Sequence, residues 1–267
     1  MNIRFIYIFI LFVSACGTKQ STPSRSGADG TSNSSDRKAL ELADRMMNAM
    51  GGANAWNETR YFRFDFVVEA DGKDVSRHQH LWDKFTGRYR VQGKMRDGKS
   101  YCMLYQDINK KLGRAYIDGK LLEGKEAEDK LQYGYNRFIN DTYWIIMPWK
   151  LKDPGVTLSY DGLQKDSASG IYYETLHLTF DQVGLTPKDQ YWAFINPETY
   201  LMDKWRFLLQ DSEDGSYYWK NWEPYGSMKF STSKQNMREN RTIKTEEIKI
   251  LNHVNEDVFS NNQTLLP

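Results

Sequence analysis

In the stretch RYFRFDFVVEA, Phe62, Phe64, Phe66 and Val68 alternate with Arg63 and Asp65, and this period of two predicts a half-buried strand. DGKD then offers a tight turn, and SRHQHLWDKF returns with His78, His80 and Trp82 on one face and Gln79, Leu81 and Asp83 on the other. GRYRVQGKM sets Tyr89 and Val91 against Arg88, Arg90 and Gln92, RDGK turns it into SYCMLYQ, and GRAYI followed by DGK repeats the device. Each step predicts a hairpin between strands adjacent in sequence. Ahead of them, Asp36 can cap a helix with Ala39, Leu40, Ala43, Met46, Met47 and Met50 along one stripe, and Gly51-Gly52 supplies its stop.

The period changes between Lys125 and Met147. Charges come first, then Leu131, Tyr135, Phe138 and Ile139 at helical spacing, then an aromatic and aliphatic patch before Pro148, which predicts one or two helices. KLKDPG is a loop, after which VTLSYDG, IYYETLHLTF, QYWAFIN, LMDKWRFLLQ, SYYWKNWEPY, MKFSTS and RTIKTEEIKILNH resume the strand pattern. The sum is roughly ten to twelve strands and two helical segments: a mainly β, α+β chain in which a large antiparallel sheet wraps around an N-terminal helix and a central helical insertion.

The first 36 residues follow another logic. Asn2 and Arg4 precede an apolar run from Phe5 to Val13 that is too short to span a bilayer, and small residues then lead into Cys16, which is the layout of a secretory signal peptide. Val13-Ser14-Ala15-Cys16 resembles the lipobox of bacterial lipoproteins, which implies cleavage before Cys16 and acylation of that cysteine. Two or three acyl chains, at about 0.8 kcal/mol per buried methylene, make a durable membrane tether. Residues 17–36 carry no large apolar side chain and cannot offset their ordering entropy. They are expected to form a leash with a reach of roughly 25 Å. The expected organisation is therefore a signal peptide over 1–15, a lipidated N-terminus and linker over 16–36, and a single domain over 37–267. Gly17 lacks the aspartate that favours inner-membrane retention in enterobacterial systems, so an outer-membrane location is expected.

Composition adds two exclusions. With 36 Lys and Arg against 35 Asp and Glu, the chain has no electrostatic pull toward nucleic acid or an anionic membrane face. Cys102, the only cysteine besides Cys16, sits among alternating apolar residues and reads as a small buried hydrophobe, so no disulfide framework is expected.

Candidate chemistry is sparse. His78 and His80 share one strand face at a spacing compatible with a metal, and His177 or Asp83 could add a third ligand for a metal-assisted hydrolase. Against this stands the simpler reading of polar positions on a half-exposed strand, and the expectation is no metal, no cofactor and no catalytic residue. No Gly-x-Ser-x-Gly elbow or phosphate-cradling glycine loop occurs. Tyr143, Trp144, Ile145, Ile146, Met147 and Trp149 form the least water-compatible segment of the mature chain; such a segment fills a core or lines a pocket. Trp144, Met147, Trp149, Trp192 and Trp205 are the candidate ligand-lining residues. Trp219 and Trp222, beside Tyr217 and Tyr218, are expected to be the most exposed aromatics.

The stretches HLWDKFTGRYRVQ, YWIIMPWKLKDPGV, HLTFDQVGLTPKDQYWAFINPETYLMDKWRF and WEPYG resemble an uncharacterised family of bacterial lipoproteins with the half-barrel fold of the lipoprotein carriers LolA and LolB. The likeness spans most of residues 37–260. It implies an unclosed barrel whose concave apolar face accommodates acyl chains. Three readings of function follow. The leading one is a monomeric, membrane-anchored, non-enzymatic module that binds a lipid or the acyl chains of a lipoprotein. The second is a fully packed envelope lipoprotein that binds a protein or glycan partner. The third is the metal-assisted hydrolase around His78 and His80.

Overall fold

The computed structural model describes residues 36–180, 188–210 and 214–267. Cys16, the signal peptide and nearly all of the expected linker lie outside the described residues. Thirteen strands form one antiparallel sheet: β1 (Tyr61–Ala70), β2 (Lys73–Asp83), β3 (Arg88–Lys94), β4 (Ser100–Asp107), β5 (Leu112–Ile117), β6 (Lys120–Leu121), β7 (Val156–Lys165), β8 (Tyr172–Phe180), β9 (Gln190–Ile195), β10 (Met202–Leu208), β11 (Asp214–Tyr225), β12 (Met228–Asn236) and β13 (Arg241–Leu251). Their spatial order is β6-β5-β4-β3-β2-β1-β13-β12-β11-β10-β9-β8-β7, so two meanders meet where the first long strand pairs with the last. The sheet is curved but not closed, because β6 and β7 remain separate edges.

Among the described residues, three α-helices complete the fold. In α1 (Arg37–Ala49) the inward stripe is Ala39, Leu42, Ala43, Met46 and Met47; Leu42 takes the place expected for Leu40, which is only half-buried. Asp36 caps it by accepting from the Ala39 amide at 2.6 Å. It also stitches the helix to edge strand β7, donating its own amide to the Leu158 carbonyl at 3.0 Å and accepting from the Tyr160 amide at 2.6 Å. Gly51, at φ +115°, turns the chain into the short α2 (Gly52–Glu58), and a Cβ there would stand 2.2 Å from the Ser227 carbonyl oxygen. The central insertion is one helix, α3 (Gly124–Ile146), which runs straight into a 3-10 turn over Met147–Lys150 with Pro148 near its start. Among the described residues, no helix is long and apolar enough to cross a membrane.

The inner face of the sheet carries the core. Phe62, Phe64, Phe66 and Val68 of β1 pack with Tyr89 and Val91 of β3, Met103 and Tyr105 of β4, Leu176 and Leu178 of β8, Trp205 and Phe207 of β10, and the buried side of α3. Tyr217 and Trp219 of β11 belong to this core and are 1% and 2% exposed, and Trp222 is half-buried, so the expectation that Trp219 and Trp222 would be the most exposed aromatics is corrected. Tyr217 and Trp219 alternate onto one face of β11, and α3 covers that face: Trp144 meets Tyr217 edge-on with centroids 4.7 Å apart.

The outer face is also partly covered. A second 3-10 turn (Glu256–Phe259) presses Val258 and Phe259 against Tyr61 and Leu81. Buried Arg90 holds the tail by donating to the carbonyls of Val258, Asn261 and Asn262 at 3.0–3.2 Å.

Candidate functional site

The alternation in β2 turns His78, His80 and Trp82 inward, under the middle of α3. His78 and His80 are 2% and 0% exposed, which corrects the reading of them as polar positions on a half-exposed strand. Their partner is Asp141, fully buried on α3. His78 Nδ1 lies 2.6 Å from Asp141 Oδ2, and His80 Nε2 lies 3.2 Å from the same oxygen. The other nitrogen of each ring is held by a hydroxyl: His78 Nε2 by Ser76 Oγ at 2.8 Å, and His80 Nδ1 by Tyr89 Oη. Asp141 Oδ1 accepts from Asn140 Nδ2 at 2.8 Å and lies 4.0 Å from the Arg137 guanidinium.

The electrostatics of this cluster follow from its burial. Burial alone would raise the Asp141 carboxyl, but His78 and Arg137 outweigh it and hold the group well below the usual carboxylate range. For His80 burial dominates over the opposing pull of Asp141 and lowers the imidazole. Tyr89, buried beside Asp141, is raised well above its ordinary value. The cluster therefore holds an ionised carboxylate in the core, matched by Arg137 on the same helix. Donor atoms of His78, His80 and Asp141 all lie within 4.8 Å of one another, and this is the set that could hold a metal.

The two residues suggested by sequence as a third ligand sit elsewhere. His177 is on the outer face of β8, stacked on Trp192 at 4.7 Å and bonded to Gln190 Oε1 at 3.0 Å. Asp83 faces outward from β2 and takes Arg88 at 2.7 Å and Arg60 at 3.4 Å. Asp141 was missed because no spacing rule links a helix residue to a strand from which four other strands separate it in the chain. Its one signal is that it is an acid embedded in the apolar run FINDTYWII, where a charge needs a partner.

The candidate ligand-lining residues divide between the two faces. Trp144, Met147 and Trp149 close the end of α3 and its 3-10 turn, all buried against the inner wall. Trp149 stacks on Trp56 with centroids 5.7 Å apart, and Trp205 of β10 stacks on Tyr191 at 5.0 Å. Trp192 lies on the outer face, where His177 and Arg206 from the two flanking strands sit over its ring. The space left beside Trp144 is about 20 Å³, bordered by Phe66, Val68, Asn140, Tyr217 and Ile243, which is room for about one water. A larger groove of about 680 Å³ runs on the outer side between the β3–β5 surface and the C-terminal tail, with Arg90, Gln92, Cys102, Tyr116 and Leu265 on its walls.

Residues 108–265 match the model of a family of unknown function, DUF6503. The chain belongs to that family. No curated protein matches the sequence. Among solved structures, this DUF6503 chain is similar to a LolA superfamily protein from Nitrosomonas europaea, with TM-score 0.50 at 10% identity over 85% of this chain and 99% of that one. It is also similar to a DUF1329 family protein from Desulfovibrio piger, with TM-score 0.48 at 12% identity over 84% of this chain and 96% of that one. The fold of this DUF6503 protein is thus the LolA-like unclosed half-barrel, formed by a single sheet around its helices.

Proposed function

We propose that this DUF6503 protein is a membrane-anchored envelope protein that binds an apolar chain, of a lipid or of a lipoprotein, along the inner face of its half-barrel, and that it acts by binding and not by catalysis. The observation that carries this reading is the identity of what covers that face. A continuous apolar and aromatic wall, from Met103 and Tyr105 across Phe62–Val68 to Trp205 and Phe207, is closed by helices, α3 with its 3-10 extension and α1 beside them, and not by a second sheet. Helices packed on such a wall can slide on it as units. An entering acyl chain takes the volume of Trp144, Met147 and Trp149, and the 3-10 turn around Pro148 is where α3 can give way without breaking its own hydrogen bonds. Acylated Cys16 would hold the domain at the outer membrane, with Gly17 after it supporting that location.

Native mass spectrometry of the detergent-free domain from Asp36 onward, with titration of a fluorescent fatty acid, tests the reading. Co-purified lipid or saturable binding is expected. Finding neither would count against it and favour the second reading, a packed envelope module that presents its loops and outer groove to a partner protein. The small size of the space beside Trp144 is the observation on that side.

A further inference from the structure

We propose that His78, His80 and Asp141 form a binding site for a divalent transition metal of the zinc class, buried between β2 and α3. The inference is independent of the ligand reading, since it concerns how the helix is fastened to the sheet. Two imidazoles and one carboxylate are a donor set that suits zinc and its neighbours in the first transition row. The separation of 3.2 Å between His80 Nε2 and Asp141 Oδ2 is close to the edge of a tetrahedron, about 3.3 Å for bonds of about 2.0 Å to zinc. The 2.6 Å separation from His78 Nδ1 to the same oxygen is a hydrogen bond and has to open by roughly 0.7 Å to admit an ion. His80 Nε2 is enclosed and faces the Asp141 carboxylate across the site, so both donors already converge on one point.

The surroundings have the character of an outer shell. Metal-bound histidines present their second nitrogen to a fixed oxygen, and here Ser76 Oγ and Tyr89 Oη stand in those positions. Asp141 is held through Oδ1 by Asn140 and Arg137, which leaves Oδ2 turned toward both rings. A metal on Nδ1 of His78 leaves Nε2 to donate to Ser76 Oγ, whose hydroxyl can accept as well as donate. His80 donates from Nδ1 to Tyr89 in the same way. Arg137 opposes a dication, but Asp141 lies between them. Because all three donors are buried, the ion has to enter before α3 docks, which makes loading part of folding.

The test is to produce the full chain in zinc-supplemented and in cobalt-supplemented medium and measure metal per chain by inductively coupled plasma mass spectrometry. One equivalent is expected, with the visible d–d bands of tetrahedral cobalt, a higher melting temperature for loaded than for chelator-stripped protein, and metal content reduced by more than about tenfold in H78Q/H80Q. Folded wild-type protein with substoichiometric metal and an unchanged melting temperature overturns the proposal. Equal metal content in the double variant also overturns it, because the ion is then elsewhere. If the double variant does not fold, the cobalt spectrum of the wild type decides: the weak bands of octahedral cobalt overturn the site and tetrahedral bands support it.

Discussion

Lys234 and Thr245 meet inside the shell, the ammonium of β12 donating to the hydroxyl of β13 at 2.8 Å. The same ammonium donates to the Ser231 carbonyl and lies 5.0 Å from the centre of the Trp219 ring. Lys234 is fully buried, and burial pushes its pKa down to about 7. The unfolded chain therefore binds more protons than the folded one between about pH 7 and pH 10.5, and stability rises with pH across that window by something on the order of 3–4 kcal/mol from this group. Urea denaturation at pH 7 and pH 10 should show the rise, and K234M should flatten it while adding about 1 kcal/mol or more at pH 7. An unchanged pH slope in K234M would mean that the ammonium is hydrated in solution.

Gly134 reverses an ordinary expectation. In an exposed helix interior Gly→Ala gains about 1 kcal/mol. Here a methyl would stand 2.4 Å from the Tyr105 hydroxyl and 3.1 Å from Met103 Cγ. That hydroxyl is pinned by its 2.5 Å bond to the Leu131 carbonyl. G134A should destabilise by about 1–3 kcal/mol. A melting temperature equal to or above wild type would show that α3 sits further from β4 than described.

Trp144→Ala separates packing from ligand binding. It should cost about 3–5 kcal/mol, since the side chain is 2% exposed and packs on Tyr217. The space it vacates joins the existing one beside it, so a fluorescent fatty acid should bind the variant more tightly than wild type. Weaker binding at equal folded fraction would make the indole part of the ligand contact.

Cys102 is 8% exposed on the outer face of β4, and burial pushes its thiol up to about 11. An aromatic disulfide reagent at pH 8 should modify it slowly in native protein and rapidly in guanidinium. The denatured count also bears on the anchor, because the chain holds two cysteines. One thiol per mature chain fits acylation at Cys16, and two would exclude it.

The hairpin meanders were legible because each carries its own evidence. Phe62 to Val68 alternate, Asp71-Gly72, Asp97-Gly98 and Asp118-Gly119 mark turns, and the structure pairs the strands on either side of each. What alternation cannot say is what lies on a face. His78 and His80 were placed on the correct side of β2, but only α3, some sixty residues later, makes that side the interior. The same limit hid Arg63 and Arg90, buried on the outer face by Asp65 and by the C-terminal tail. Trp192 looked like its neighbours because an aromatic on a strand signals packing without telling which of two sides is packed.

The seam between β1 and β13, where Tyr61 pairs with Leu251, joins segments near opposite ends of the polypeptide. A chain emerging N-terminus first from an export channel exposes β1 well before its permanent neighbour arrives. The two meanders can gather early by local contacts, but until the final strand arrives β1 has a bare row of amides and carbonyls on one flank. Maturation of this molecule is accordingly gated by the last strand to emerge, and until then the half-formed shell is most exposed to misassociation.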